Sequence, residues 1–268
     1  MSLYQVQNQW GGSSAPWNQG GMWSIGSRSN QNPIALNVTS PDDGKTLNGT
    51  MTYAGEGPIG FEGHLEGSNN FEVENQWGGP NAEWHEGGTF ILGFRTGQNA
   101  VAIDITSPDN GKTLNGTMTY SGEGPIGFKG TLADGGAYIV QNQWGGSSAP
   151  WNPGGLFVLG CRANQNIVAL NITSPDNGKT LNGTMTYAGE GPIGFKGTLI
   201  GSNNYEVQNQ WGGNNAPWNP GGLWVIGFRG DQNVIAIDIT SPDGGNTLTG
   251  TMTYAGEGPI GFKAALQQ

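Results

Sequence analysis

Three side chains that can bind a polyhydroxylated ligand recur once in each quarter of this chain. Tryptophan offers a flat apolar face, whereas arginine and glutamate offer charge-assisted hydrogen bonds to neighbouring hydroxyl groups. Two glycines follow each tryptophan and one follows each glutamate, so bare backbone accompanies the polar groups. The sets are Trp10, Trp77, Trp144 and Trp211 with Gly11, Gly12, Gly78, Gly79, Gly145, Gly146, Gly212 and Gly213; Arg28, Arg95, Arg162 and Arg229; and Glu56, Glu123, Glu190 and Glu257 with Gly57, Gly124, Gly191 and Gly258. This combination favours binding of an uncharged polyol.

Arginine is the most selective member of the set, because the chain has four arginines and all occupy this one repeat position. A surface charge could equally be lysine, so the restriction indicates that the planar fork of donors is needed. A structural salt bridge between the repeated arginine and the repeated glutamate is the alternative interpretation of these two residues. For the tryptophans the alternative is a core aromatic, and for the glycines it is a turn that needs a positive φ.

Other repeated residues have less decisive interpretations. A second tryptophan set lies in the same loops and serves either packing or ligand contact: Trp17, Trp84, Trp151 and Trp218. Four aspartates follow proline and are better explained as turn formers: Asp42, Asp109, Asp176 and Asp243. The two histidines, His64 and His85, occupy different repeat positions and no calcium-loop spacing is present, so we expect no metal site and no cofactor.

The elements that must position these residues follow from a period of 67 residues, which fills all 268. Each repeat contains five short runs with strand-like alternation and no helical periodicity, which predicts an all-β fold. The second strand is expected at Met22–Arg28, after a long loop that runs through Trp17 to Gly21. The run Leu47–Tyr53 alternates without a break and predicts one strand, although a tight hairpin at Asn48-Gly49 is the alternative.

The repeats resemble one another alternately, which indicates a duplicated pair. The first and third share the segment after Trp-Gly-Gly, the second and fourth share Gly-Phe-Arg, and the middle junction Asp134–Ala137 differs from the other two. We therefore predict two domains, residues 1–134 (repeats 1–67 and 68–134) and 135–268 (repeats 135–201 and 202–268). A single repeat would bury little core and leave open sheet edges.

The composition excludes several classes of function. A formal net charge of −10 would repel nucleic acid and anionic membrane surfaces. The single cysteine, Cys161, permits no internal disulfide, and its repeat counterparts are not cysteines, so a repeated catalytic thiol is excluded. The start of the chain lacks a basic segment followed by an apolar one, and no run approaches the ~18 apolar residues of a membrane helix. We expect a soluble protein, cytoplasmic or released by a route other than Sec.

The motifs Asn-Gln-Trp-Gly-Gly and Gly-Glu-Gly-Pro-Ile-Gly-Phe, present in all four repeats, resemble those of the Oscillatoria agardhii agglutinin family of antiviral lectins. The resemblance implies that two repeats form one ten-stranded antiparallel β-barrel with a site at each end, and that this chain holds two barrels in tandem. It further implies metal-independent binding of the branched mannose core of high-mannose N-glycans on cell surfaces or viral envelopes. The expected form is a monomer with four sites that agglutinates cells.

The resemblance also implies that each site draws on both repeats of a barrel. Carried over by motif, the sites are Trp10, Gly11 and Gly12 with Arg95, Glu123 and Gly124; Trp77, Gly78 and Gly79 with Arg28, Glu56 and Gly57; Trp144, Gly145 and Gly146 with Arg229, Glu257 and Gly258; and Trp211, Gly212 and Gly213 with Arg162, Glu190 and Gly191. Departures cluster in the second repeat, at Pro80–His85, so the Trp77 site is expected to differ in affinity.

Two other classes of protein compete with this interpretation. A glycoside hydrolase would also present Trp and Glu to sugar, but it commonly needs two carboxylates about 5–10 Å apart. Only one carboxylate outside the proline turns repeats in all four units. A structural β-repeat protein of a coat or matrix would need neither a ligand nor arginine in preference to lysine.

Overall fold

The computed structural model describes residues 1–28, 30–133, 135–160, 162 and 164–267. Asp134 at the expected domain boundary and Cys161 lie outside the described residues. The strands of the first unit are β1 (Leu3–Gln9), β2 (Trp17–Ser24), β3 (Pro33–Thr39), β4 (Thr46–Tyr53), β5 (Ile59–Gly67), β6 (Asn70–Gln76), β7 (Trp84–Ile91), β8 (Ala100–Thr106), β9 (Thr113–Tyr120) and β10 (Ile126–Ala133). Those of the second are β11 (Gly136–Gln143), β12 (Asn152–Leu159), β13 (Ile167–Thr173), β14 (Thr180–Tyr187), β15 (Ile193–Gly201), β16 (Asn204–Gln210), β17 (Trp218–Val225), β18 (Val234–Thr240), β19 (Thr247–Tyr254) and β20 (Ile260–Leu266). Among these residues no helix has the length and apolar character needed to cross a bilayer.

Five strands per repeat and an all-β fold are thus confirmed. Strand β4 passes straight through Asn48-Gly49, so the hairpin alternative is wrong. A Cβ atom on Gly49 would lie 2.0 Å from the carbonyl oxygen of Asn37 in β3, which shows why this strand position admits only glycine. The Asn-Gly pair therefore marks a close approach of two strands and not a turn.

The second strand differs from the prediction at both ends. It begins at Trp17, because residues 17–19 pair with Gln7–Gln9 of β1 ahead of a register shift between Gln5 and Gln7. It ends at Ser24, which leaves Arg28 in the loop between β2 and β3. Two glycines and the bulge interrupt the alternation here, so the period of two is hidden in the sequence.

Each set of ten strands closes into an antiparallel barrel by exchanging strands between repeats. The order is β1-β10-β9-β8-β3-β4-β5-β6-β7-β2 in the first and β11-β12-β17-β16-β15-β14-β13-β18-β19-β20 in the second. The first strand of repeat one, β1, therefore pairs with the last strand of repeat two, β10. Full closure removes the open edges that a single repeat would leave. The chain separates into two compact units, Met1–Ala133 and Asp134–Gln268.

The core of each barrel is filled by the inward-facing residues of both repeats. Equivalent positions vary in apolar side chain, as with Leu36 and Ile103, because an interior position needs only suitable volume and hydrophobicity. The buried Tyr4 hydroxyl donates to the carbonyl oxygen of Gly111 at 2.9 Å, so its polar end is satisfied.

The antiparallel order also decides which loops meet. The β2–β3 loop, the β4–β5 turn and the β6–β7 loop lie at one end of the first barrel, and the β7–β8 loop, the β9–β10 turn and the β1–β2 loop lie at the other. Each end therefore gathers loops from both repeats. The second barrel repeats this arrangement with its own ten strands.

The strand exchange makes the folding of fragments testable. A fragment of residues 1–134 should unfold in one cooperative transition whose midpoint does not depend on protein concentration. A fragment of residues 1–67 should fold only by pairing with a second copy, because β1 and β2 lack the partners that β10 and β7 provide. Thermal melts at several concentrations, followed by circular dichroism, make the comparison. A folded monomeric 1–67 fragment, with a melting midpoint that does not depend on concentration, would contradict the need for strand pairing between repeats.

Candidate functional site

The Asn-Gln half of the first motif is scaffold. Asn8 is fully buried, and its side-chain amide donates to the sulfur of Met118 at 3.2 Å. The side-chain amide of Gln9 donates to the carbonyl oxygen of Ala15 at 2.6 Å, which ties the far side of the loop to β1. The same Gln bond, also at 2.6 Å, recurs in each of the other three repeats. These two residues therefore hold the loop in which the tryptophan lies.

The Gly-Gly half of the motif shapes an exposed turn. Gly11 and Gly12 both have a φ of 91°, which residues with side chains rarely adopt. The backbone N–H of Ala15 donates to the carbonyl oxygen of Gly12 at 3.1 Å and closes the turn. A Cβ atom on Gly12 would meet no atom within 4 Å, so this backbone faces open space. The turn interpretation of these glycines is correct, and it leaves their surface accessible to a ligand.

The second motif forms the turn that presents the glutamate. The N–H of Glu56 donates to the carbonyl oxygen of Tyr53 at 3.0 Å, and Gly55 has the positive φ, 85°, that suits the third position of a type II turn. Nothing in the turn holds the Glu56 side chain by itself. Its position is set by what it meets in the neighbouring loop.

Each arginine lies between two aromatic rings. The Cζ atom of Arg95 is 4.9 Å from the ring centre of Trp10 and 4.5 Å from that of Tyr120. The other three are Arg28 with Trp77 (5.1 Å) and Tyr53 (4.3 Å), Arg162 with Trp211 (4.9 Å) and Tyr187 (4.3 Å), and Arg229 with Trp144 (5.1 Å) and Tyr254 (4.4 Å). A planar guanidinium can stack on rings on both sides, whereas an ammonium group cannot. This explains the exclusion of lysine.

The same arginines pair with the repeated glutamates. Nη1 of Arg28 lies 2.5 Å from Oε1 of Glu56, and the Arg162–Glu190 pair measures 2.7 Å. Arg95 pairs with Glu123 and Arg229 with Glu257 in the same way. The arginine side chains are 20–26% exposed and the glutamates 30–34%, so each pair is accessible from solvent.

A glutamine completes each ion pair. Arg28 donates to Oε1 of Gln31 at 3.2 Å, and Nε2 of Gln31 donates to Glu56 at 3.2 Å and to the carbonyl oxygen of Ala54 at 3.3 Å. Hydrogen bonds from Arg28 and then Gln31 lower the pKa of Glu56 below its ordinary range. The carboxylate is therefore held ionised and in one place.

The structure thus brings together every Trp, Arg and Glu combination that the family resemblance implies, each with the tryptophan from one repeat and the ion pair from the other. Two contributors were missed by the sequence analysis, although both repeat every 67 residues. They are the glutamines Gln31, Gln98, Gln165 and Gln232 and the tyrosines Tyr53, Tyr120, Tyr187 and Tyr254. Each of these tyrosines is also the last residue of a strand.

The second tryptophan set both packs and remains exposed. Trp17 is 42% exposed, and its Cη2 atom would lie 3.3 Å from a Cβ on Gly127 across the neighbouring strands. The other three have the same relation to a glycine and exposures of 39–41%. The geometry is therefore compatible with both roles considered for these rings, packing against the sheet and contact with a ligand.

The aspartates act in turns, as expected. Oδ1 of Asp42 accepts the N–H of Thr46 at 2.7 Å, and this bond is the main cause of a lowered Asp42 pKa. Of the two histidines, His64 lies beside two carboxylates: potential ligand atoms of Glu62, His64 and Glu74 lie within 4.8 Å of one another, and exposed acidic groups are common without a metal ion. The sequence could not show this group, because Glu74 comes from the strand next to that of the other two.

The second repeat differs at its tryptophan, as its sequence indicates. The ring of His85 lies 5.4 Å from that of Trp77, inclined by 43°. In the other three repeats this position is asparagine, whose amide donates to the carbonyl oxygen two residues earlier at 3.1 Å. The surroundings of Trp77 are therefore not equivalent to those of the other three tryptophans.

Comparison with known proteins decides the family. The model of the OAA-family lectin sugar binding domain matches residues 2–66, 69–133, 136–200 and 203–267. The chain belongs to the OAA lectin family. It is 63% identical over 261 residues to the lectin SfL-1 of Solieria filiformis, covering 97% of this chain and 98% of that one.

Two solved structures match nearly the whole chain. The Burkholderia oklahomensis agglutinin has a TM-score of 0.97 and 64% identity, with 99% of this chain and 95% of that chain covered. The Myxococcus xanthus hemagglutinin, solved in complex with α3,α6-mannopentaose, has a TM-score of 0.97 and 62% identity, with 98% and 99% covered. The four matched OAA segments coincide with the four repeats, and each contains one Trp-Gly-Gly loop, one arginine and one glutamate turn.

The Glu56 environment predicts how this ion pair responds to acid. Because the folded pKa of Glu56 is lowered, the pair contributes stability at pH values above the unfolded pKa of ~4.3, and this contribution is lost as the pH falls through the lower folded value. A carbon-13 NMR titration should show Glu56 ionised below the ordinary glutamate range. Arg28→Met should return the pKa toward that range, and Gln31→Ala should do so to a smaller extent. An unchanged titration in Arg28→Met would rule out the arginine as the main cause.

Proposed function

We propose that this chain binds the branched mannose core of high-mannose N-glycans at four sites, each with the Trp-Gly-Gly loop of one repeat and the Arg, Glu and following Gly of its partner. The membership of a lectin family supports sugar binding, and the Myxococcus hemagglutinin, which is 62% identical, has been solved with a branched mannopentaose. The named residues are the four sets given by the family motif.

The main support for the proposal is the glycine after each paired glutamate, because neither the backbone conformation nor the packing there requires a glycine. Gly57, Gly124, Gly191 and Gly258 have no positive φ, and a Cβ atom on any of them would meet no atom within 4 Å. A residue with a side chain would fit the fold at each of these positions. The absence of a side chain four times, directly after the paired glutamate, is explained if a ligand approaches the backbone closely there.

The chemistry of the site suits a neutral sugar. The glutamate accepts hydrogen bonds from adjacent hydroxyl groups, while its ion pair with arginine cancels its charge and fixes its position. Backbone N–H groups of the two glycine turns add neutral donors. The tryptophan supplies the apolar wall; in the Trp10 site its ring centre lies 4.9 Å from Cζ of Arg95. Because little has to move, the entropic cost of ordering the site on binding is small.

Binding without cleavage is favoured over hydrolysis. A general acid of a glycoside hydrolase needs a raised pKa, whereas the pKa of Glu56 is lowered by Arg28 and Gln31. A purely structural role for the repeats does not explain the unneeded glycines beside each glutamate. The family is one of sugar-binding domains, which agrees with binding as the function.

The number of proposed sites determines what the chain could do on a surface that carries many glycans. Four sites on one chain allow a monomer to bridge glycans on different particles, so we propose agglutination of cells and binding to viral envelope glycans without a metal ion. Simultaneous contact raises apparent affinity by effective concentration, by about 10² to 10⁴ where the geometry permits. The Trp77 site, with His85 against its indole, is proposed to differ in affinity from the other three.

Substitution of the unneeded glycine tests the site directly. Gly124→Ala should leave the melting temperature unchanged, since the added methyl group meets no protein atom, and should block close approach of a sugar at one site. Isothermal calorimetry with α3,α6-mannopentaose should then count three sites in place of four, and the Gly57→Ala, Gly124→Ala double variant should count two. Four sites in the double variant would remove the main support for these residue assignments.

Specificity and metal independence are tested on the intact chain. A glycan array should give signals for high-mannose glycans and none for structures that end only in sialic acid or galactose. Agglutination of cells that display high-mannose glycans should persist in excess EDTA, because all of the proposed donors and acceptors belong to the protein. An array restricted to galactose or sialic acid ligands would show that the assigned sugar class is wrong.

A further inference from the structure

A cleft on the outer wall of the second barrel lies beside the exposed indole of Trp218. It has a volume of about 390 Å³, and its described lining includes Trp218, Gln210, Gly194, Asn182 and Thr184. Among the described lining residues none carries a charge. The cleft therefore combines one aromatic face with neutral hydrogen-bonding groups.

The position of the indole is fixed by the strands beneath it. Trp218 of β17 pairs with Gln210 of β16, and Gln210 pairs with Gly194 of β15. A Cβ on Gly194 would lie 3.2 Å from Cη2 of Trp218, so the bare backbone leaves room for the ring to extend across two strands. The side-chain amide of Gln210 is held by the carbonyl oxygen of Ala216 at 2.6 Å. Trp218 nevertheless remains 41% exposed, so this packing covers only part of the residue.

The cleft is continuous with one of the four proposed sites. Gly212 and Gly213, which follow Trp211 in the Trp-Gly-Gly loop, also line the cleft. A ligand bound by that loop can therefore reach the Trp218 side without crossing another element. The other repeats keep the same arrangement, with Trp17 over Gly127, Trp84 over Gly60 and Trp151 over Gly261. All four indoles are therefore exposed at one repeat position, and each lies over a glycine of a neighbouring strand.

We propose that Trp218 and its cleft form an accessory subsite for a further neutral pyranose of the same oligosaccharide whose branched core occupies the Trp211 site. The apolar face of a pyranose stacks on the indole, and Asn182, Thr184 and Asn214 supply hydrogen bonds to its hydroxyl groups. The absence of charge among the described lining residues selects a neutral hexose over an acidic sugar. This inference rests on the proposed function, because the core site positions the glycan.

The test uses the full chain with only the Trp211 site active. Glu56→Gln, Glu123→Gln and Glu257→Gln would disable the other three sites and give the parent protein. Calorimetry would compare α3,α6-mannopentaose with a full-length high-mannose oligosaccharide, for the parent, Trp218→Phe and Trp218→Ala. In Trp218→Ala we expect the pentaose to bind within twofold of the parent and the longer glycan to bind about three- to tenfold more weakly. For the longer glycan, the affinity of Trp218→Phe should lie between those of the parent and Trp218→Ala.

Several outcomes would overturn the subsite. Equal losses for the two glycans would show that Trp218 acts by positioning the loop, and unchanged affinities would show that the cleft is not used. Failure of the parent to bind either glycan would overturn the proposed function together with the subsite. A parent that binds both glycans, with affinities unchanged in Trp218→Ala, would overturn the subsite alone.

A second measurement does not depend on the folding of the alanine variant. The indole N–H resonance of Trp218 in the parent, assigned with Trp218→Phe, should shift when the longer glycan is added and not when the pentaose is added. Identical responses to both ligands would contradict the subsite.

Discussion

The first strand of each repeat finds its partner in the other repeat, and the sites depend on this exchange. Because β1 pairs with β10 and β3 with β8, neither repeat can close a barrel alone. The exchange also carries the Trp-Gly-Gly loop of one repeat to the end of the barrel where the arginine loop and glutamate turn of the other repeat lie. The strand order that closes the barrel therefore also brings together the residues of each proposed site.

The arginine is the member of the site that ties its parts together. Its guanidinium contacts a tryptophan from one repeat and a tyrosine, a glutamine and a glutamate from the other. The structural and the functional interpretations of the Arg–Glu pair are therefore compatible. A pair that is partly exposed contributes little to stability, but it holds a carboxylate at a fixed place beside an open backbone. The ion pair is best understood as the means by which the site is ordered before a ligand arrives.

Much of the fold could be derived from the sequence, because the period of 67 residues and the alternation within it survive in every repeat. Strand β4 was placed correctly by its unbroken alternation, whereas β2 was placed wrongly because a bulge and two glycines interrupt the pattern. The charged site residues stood out because exposed positions seldom keep one residue type without a reason. Gln31 and Tyr53 repeat just as faithfully, but an amide and a strand-end aromatic have many ordinary explanations.

Which repeat pairs with which could not be read from spacing. Four copies of each residue permit pairing within a repeat or between repeats, and only the family resemblance distinguished them before the structure did. The Glu62, His64 and Glu74 group was hidden for a related reason, since contacts between strands depend on register and not on linear distance. A period reveals what is repeated, but it does not reveal which copies meet.

The repeats also show where the chain is free to vary. On the outer wall of the first barrel Glu62, Glu74 and Glu86 lie opposite one another on three adjacent strands, and the positions equivalent to Glu62 are Lys129, Lys196 and Lys263. Like charges directly across strands are unfavourable, and this wall is more acidic than its counterparts. It lies next to Trp84, since Gly60, Gln76 and Trp84 occupy the neighbouring row. An anionic surface therefore lies beside one of four similar aromatic faces, within a barrel that closes like the other. The differences between repeats fall beside the proposed sites, whereas the arginine, the glutamate and the glycines assigned to those sites are the same in all four repeats.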